Sequence, residues 1–243
     1  RGTMKKILLV SLVILVSAIS LFAAKYVVGT SADFPPFEYV QNGEFMGFDI
    51  DLIKAIAAEM GFEIEIRDMS FDSLIAALVS GNLDIVISGM TITAERAEVV
   101  SFSKPYWTAD QSVVVREDSD LTVTVLFGKH SIGVQTGTTG DIWVEDNLVT
   151  TKILTGDFKR YETYTLAMTD LINRNLDAIV LDSPVAQSFA SVRPVKIVAI
   201  LKTYEDYGIA VNKANKALLD LINEGIRRLE SSGKLAELNL KHF

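Results

Sequence analysis

From Lys25 onward two hydrophobic periods alternate along the chain. Phe62, Ile64 and Ile66 interleave with Glu63, Glu65 and Arg67, the period-two pattern of a half-buried strand. Ile85-Val86-Ile87 and Ala178-Ile179-Val180-Leu181 are instead continuous apolar runs, as expected of parallel strands covered on both faces. Between them, Leu52, Ile53, Ile56 and Met60 lead to Gly61, and Leu74, Ala77 and Leu78 lead to Gly81, which is helical spacing closed by a glycine. Strands alternating with short helices predict an α/β fold. The stretch Leu121–Phe127 also alternates and reads as a strand.

One unit occurs twice. Leu74, Leu78 and Asn82-Leu83-Asp84 are spaced as Ala167, Leu171 and Asn175-Leu176-Asp177, and each set precedes one of the continuous apolar strands. Ser88-Gly89 and Asp182-Ser183 therefore fall at the carboxyl ends of equivalent strands, the edge at which open α/β sheets bind ligands.

Composition narrows the function classes. With 49% hydrophobic and 22% charged residues the chain is globular, and it can bury one large core or two modest ones. The apolar run Ile7–Ala24 follows Lys5-Lys6 and ends on Ala23-Ala24, the layout of a cleaved secretory signal; a retained anchor is the alternative reading. Arg1, Gly2 and Thr3 precede Met4, the expected natural start, so 4–24 is taken as the signal peptide. Its removal leaves 20 of the 23 bases against 31 acids, which moves the formal charge from −8 to −11. That balance disfavours nucleic acid as a partner. With no cysteine and only His130 and His242, neither a thiolate site nor a zinc enzyme is expected, and no metal or cofactor is assigned.

Several residues are candidates for holding a zwitterion. In Ser88-Gly89-Met90-Thr91-Ile92-Thr93-Ala94-Glu95-Arg96, Thr93 suits a helix N-cap, and Arg96 then sits in the first turn, where a cation opposes the helix dipole. That placement makes sense if Arg96 and the Thr91 hydroxyl converge on a carboxylate; an exposed helical arginine would explain it equally well. Gln135-Thr136-Gly137-Thr138-Thr139-Gly140 is a turn entering a helix, able to meet an anion through its N–H groups but lacking the Walker and dinucleotide patterns. Asp182 can meet an ammonium, or merely cap the helix that Pro184 begins. Phe34 and Phe71 can sandwich a ligand side chain, or can be ordinary core.

Gly47-Phe48-Asp49-Ile50-Asp51-Leu52, Ile87–Arg96, Thr136–Gly140, Leu176–Asp182 and Tyr207-Gly208-Ile209-Ala210 together resemble the extracellular solute-binding proteins of polar amino-acid uptake systems, over nearly the whole mature chain. The resemblance implies the two-lobed type II periplasmic-binding-protein fold. Each lobe would be a mainly parallel sheet flanked by helices, with hinge crossings near Thr108–Gln111 and Tyr204–Asp206. Lobe one would be residues 25–109 and 206–243, and lobe two residues 110–205. By similarity, Arg96, Thr91 and the Thr139 backbone, beside Thr138, would hold an α-carboxylate. Ser88, the Gly89 carbonyl and Asp182 would hold the α-ammonium. Phe34 and Phe71 would flank the side chain, and Ser31, Glu38 and Gln135 would select it, in a pattern most similar to arginine binders. Asp33 and Asp49 are secondary contacts or structural residues. The expected protein is a monomeric periplasmic or extracellular receptor that hands its amino acid to an ABC permease in the inner membrane. The alternatives are an amino-acid-precursor dehydratase on the same scaffold, with Glu38 as general acid, or a ligand-binding sensor domain.

Overall fold

The computed structural model describes residues 24–243. The start at Met4 and the apolar run from Ile7, apart from Ala24, lie outside them.

The chain opens with β1 (Lys25–Thr30), then a small antiparallel sheet of β2 (Asp33–Phe34), β3 (Glu38–Gln41) and β4 (Glu44–Met46). Helix α1 (Phe48–Met60), β5 (Glu63–Asp68), α2 (Leu74–Val79), β6 (Ile85–Val86), α3 (Ala94–Val99) and β7 (Val100–Phe102) follow. Next come β8 (Trp107–Arg116), β9 (Ile132–Gln135), α4 (Thr139–Val144), β10 (Phe158–Tyr161), α5 (Tyr164–Ile172), β11 (Ala178–Asp182), α6 (Ser183–Val192) and β12 (Val195–Tyr207). The chain closes with β13 (Ala210–Asn212), α7 (Lys216–Ser231) and α8 (Lys234–His242).

Two five-stranded sheets result, ordered β5-β1-β6-β13-β7 and β10-β9-β11-β8-β12. In the first, only β13 opposes its neighbours, and in the second only β8 does. Each sheet is thus mainly parallel with one reversed strand. Each carries its own lobe, and helices cover both. The two sheets are joined where β8 and β12 run antiparallel, from Trp107 opposite Tyr207 to Arg116 opposite Val195, with the register slipping between Leu201 and Glu205.

The repeated Asn-Leu-Asp unit has a packing reason. A Cβ on Gly29 of β1 would come within 2.3 Å of Leu83 Cδ1, and one on Gly133 of β9 within 2.5 Å of Leu176 Cδ1. In both lobes the leucine thus packs onto a bare patch of the strand beside β6 or β11, which only glycine leaves open. The following aspartate then accepts from that strand's start: Asp84 from the Val27 N–H at 2.8 Å and Asp177 from the Ser131 N–H at 2.9 Å. Each copy therefore locks its turn to the neighbouring strand and delivers β6 or β11 in register.

Leu121–Phe127 is not a strand. Val123–Leu126 forms a 3-10 turn in which the Thr122 hydroxyl accepts from the Thr124 N–H at 3.4 Å, and Val125 and Leu126 are buried on the core of the second lobe. β10 and β12 already form the edges of that sheet, and the segment's neighbourhood meets other backbone only through an isolated bridge between Gly128 and Leu154. Alternation of β-branched residues makes a strand only where the segment pairs with a neighbour, and here Val125 and Leu126 bury in the 3-10 turn instead.

Candidate functional site

The parallel strands of both sheets deliver their carboxyl ends to a common cleft. β1 runs out at Ser31, β6 at Ser88, β9 at Gln135 and β11 at Asp182. Twelve residues line one cavity there, and they are the twelve singled out from the sequence. Ser31, Phe34, Glu38, Phe71, Ser88, Gly89, Thr91 and Arg96 come from the first lobe; Gln135, Thr138, Thr139 and Asp182 come from the second.

Arg96 is buried, at 8% exposure, which removes the reading of a solvated helical arginine. The Thr93 hydroxyl caps α3 by accepting the Arg96 N–H at 3.2 Å, which fixes the start of the helix and so the root of the side chain. Its Nη1 donates to the Thr91 carbonyl at 2.8 Å and its Nη2 to the Gly137 carbonyl of the other lobe at 2.9 Å. The guanidinium also lies 5.3 Å from the centre of the Phe71 ring. Two of its five N–H donors are thereby used and the rest remain for the cavity. Burial pulls its pKa below the usual value, against the pull of Asp182, Glu205 and Glu95.

Asp182 stands at the N-terminus of α6 yet makes no capping bond. Its carboxylate is held by Gln111 Nε2 at 2.9 Å and by the Tyr207 hydroxyl. Burial, helped by the nearby Glu205 charge, raises its pKa to about 7. Capping does not account for this side chain.

Glu205 was not anticipated. It accepts from the Thr91 hydroxyl of the first lobe at 3.0 Å, from the Thr139 hydroxyl of the second, and from Gln111 Nε2 at 3.1 Å. A hydroxyl has one proton to donate, so Thr91 and Thr139 spend theirs on Glu205, and the Thr91 hydroxyl does not face the cavity as a free donor. The signal was present: Thr203, Glu205 and Tyr207 alternate with exposed Lys202, Tyr204 and Asp206, so period two turns Glu205 inward with Tyr207.

Gln135 spends its amide nitrogen on the Glu162 carbonyl at 3.0 Å and Asp33 at 3.4 Å, which leaves the amide oxygen as an acceptor. Phe34 stacks on Tyr164 with ring centres 5.8 Å apart and fills the space beside Gly89, where a Cβ would fall 2.7 Å from its ring. Gly89 adopts φ 51, so glycine serves there for both backbone and space. Asp33 and Asp49 do not line the cavity. Asp33 accepts the Tyr164 N–H of the other lobe at 2.8 Å, and Asp49 accepts the Gly89 N–H at 2.8 Å and the Tyr106 hydroxyl at 2.7 Å.

Glu38 is fully buried beside Asp49, with the Ser88 hydroxyl donating to it at 3.0 Å. Burial first, then the Asp49 charge, lifts its pKa well above the ordinary carboxylate value. With Asp49 against it, Glu38 does not face the cavity as an isolated carboxylate.

Burial also raises Asp33 to about 6 and Asp49 to about 6. Folded values above the unfolded ones mean that the native chain holds protons the unfolded chain has released, so stability falls as pH rises from about 4 to about 6–7 and is regained as pH falls. Ligand-free protein should therefore melt higher at about pH 5.5 than at about pH 7.5, by about 1.4 kcal/mol per pH unit for each proton so held. Carboxylates with lowered values, such as Glu224 at about 2, lose their contribution only at stronger acidity. Calorimetric melting across that range checks the sign; a midpoint that falls steadily on acidification contradicts it.

A two-lobed α/β scaffold with one enclosed cleft lined by buried charges of both signs defines a solute-binding protein. The chain belongs to the bacterial extracellular solute-binding proteins, family 3, whose pattern it matches over residues 26–243. It is 35% identical over 227 residues to a probable histidine-binding protein of Neisseria gonorrhoeae, covering 90% of this chain and 82% of the relative. It is 34% identical over 247 residues to an ABC transporter arginine-binding protein of Escherichia coli, covering 99% of both. Among solved structures, an ancestral arginine-binding protein bound to arginine superposes with a TM-score of 0.85 at 37% identity, covering 90% of this chain and 98% of the other. No helix among the described residues is long and apolar enough to cross a membrane.

Proposed function

We propose that this chain captures a polar L-amino acid, arginine foremost, between its lobes and hands it to an ABC permease in the inner membrane. One observation carries the reading: a cavity between the lobes is lined by a buried guanidinium, buried acids and two aromatic walls. A zwitterion complements that set, with its carboxylate on Arg96 and the N–H groups of Thr91 and Thr139, and its ammonium on Asp182, Ser88 and the Gly89 carbonyl. Thr138 supports this end by capping α4, accepting the Asp141 N–H at 3.1 Å. A guanidinium side chain then lies between Phe34 and Phe71 and donates toward Glu38, Ser31 and the Gln135 oxygen. The arginine-binding relatives support that choice.

We place the lobe boundaries at 109/110 and 205/206, within the β8–β12 ribbon, and take closure about that ribbon as the working motion. The protein is taken as a monomer exported to the periplasm or cell exterior by the 4–24 signal, and it breaks no bond in its ligand. A thermal-shift panel of the twenty amino acids and ornithine tests the reading. A ligand bound only by the folded state raises the midpoint, and arginine should raise it most. A panel in which no amino acid moves the midpoint contradicts the proposal, as does turnover of prephenate or arogenate.

A further inference from the structure

Beside the cavity lie two carboxyl groups that, among the described residues, have no cation against them. Glu38 and Asp49 are both fully buried and within hydrogen-bonding reach of each other. The groups that face them are the Ser88 hydroxyl on Glu38, and the Gly89 N–H and Tyr106 hydroxyl on Asp49. The other charge acting on Glu38 is Asp33, also an acid. Each member of the pair keeps one buried oxygen, Glu38 Oε2 and Asp49 Oδ1, that no other group satisfies. Two adjoining carboxylates in a desolvated site cannot both ionise at modest cost, whereas one shared proton leaves the pair with a single charge. Glu38 lines the cavity and Asp49 does not, so a ligand reaches the shared proton through Glu38 alone.

We propose that Asp49 is a specificity-determining residue: in the empty site it shares one proton with Glu38, and a cationic ligand side chain expels that proton while a neutral one leaves it in place. The Glu38 O–H bond breaks, the proton passes to bulk buffer, and the incoming guanidinium supplies the positive charge and N–H donors that replace it. A neutral amide needs only an acceptor, which the protonated pair still offers. The inference rests on the proposed binding of arginine in this cavity.

Calorimetric titration of arginine and of glutamine, each in two buffers of different ionisation enthalpy, counts the protons released. Asp182 meets the α-ammonium of both ligands, so its titration cancels between them. Arginine should release close to one proton more than glutamine, and its affinity should gain up to about tenfold per pH unit relative to glutamine. In Glu38→Gln the difference should vanish, and in Asp49→Asn, where the amide still accepts from Gly89 and Tyr106, it should shrink. Equal proton release by arginine and glutamine from the unmutated protein overturns the proposal, whether or not the variants fold. Undiminished release in a folded Asp49→Asn protein overturns it as well. Failure of arginine to bind at all overturns the proposed function, and this inference with it.

Discussion

Arg96→Ala should weaken binding of every amino acid alike, by about 2–5 kcal/mol, or at least about thirtyfold in Kd. The guanidinium is the cation that lines the cavity, and a buried ligand carboxylate without it would have no charged partner. A second loss adds to the first, because Arg96 also ties the Thr91 carbonyl of one lobe to the Gly137 carbonyl of the other. Removing it weakens the closed arrangement as well as the ligand's grip. Arg96→Lys keeps the charge but cannot reach two carbonyls and a carboxylate with a planar fork, so it should recover only part of the affinity. Calorimetry with arginine, lysine and glutamine reads the effect. Affinities unchanged in Arg96→Ala would remove this residue from the site, and a loss confined to one ligand would give it a role in selectivity instead.

Asp182→Asn should cost ligands with an α-amino group about 2–4 kcal/mol and spare the arginine analogue that lacks it. Gln111 and Tyr207 hold the carboxylate in place, and its raised pKa of about 7 reflects a charge waiting in a desolvated site for a cation. The α-ammonium supplies that cation. Below about pH 7 the empty site protonates Asp182, so affinity for all amino acids should decline on acidification in the unmutated protein. Asp182→Asn should remove that decline for glutamine and leave arginine only the part that comes from Glu38 and Asp49. Comparing arginine with its deamino analogue across pH separates the outcomes. A variant that reorders side-chain preferences, while leaving the amino and deamino ligands equally affected, contradicts the assignment to the ammonium.

The strand ends and the residues gathered there were legible because they follow from local chemistry. Continuous apolar runs identify β6 and β11, the Asn-Leu-Asp repeat marks their approach, and Thr93 and Thr138 sit where helix caps belong. What lay hidden is a set of relations across the chain. Asp49 reaches Gly89 over 40 positions, Thr91 reaches Glu205 over 114, and Gln111 reaches Glu205 over 94. No sequence spacing encodes such contacts, so Glu38 reads as a free anion until Asp49 is seen beside it. Leu121–Phe127 fails for the converse reason: its local pattern is strand-like, but the segment pairs with no strand and turns its apolar residues inward from a 3-10 turn.

Titration of arginine into the unmutated protein, with lysine and glutamine as competitors, reads the side-chain preference of the cavity. Arginine should bind at micromolar Kd or tighter, near about −8 kcal/mol, and at least about tenfold more tightly than either competitor. Glutamine or an aliphatic amino acid as the tightest ligand would contradict the assignment of the side-chain end of the cavity to a guanidinium.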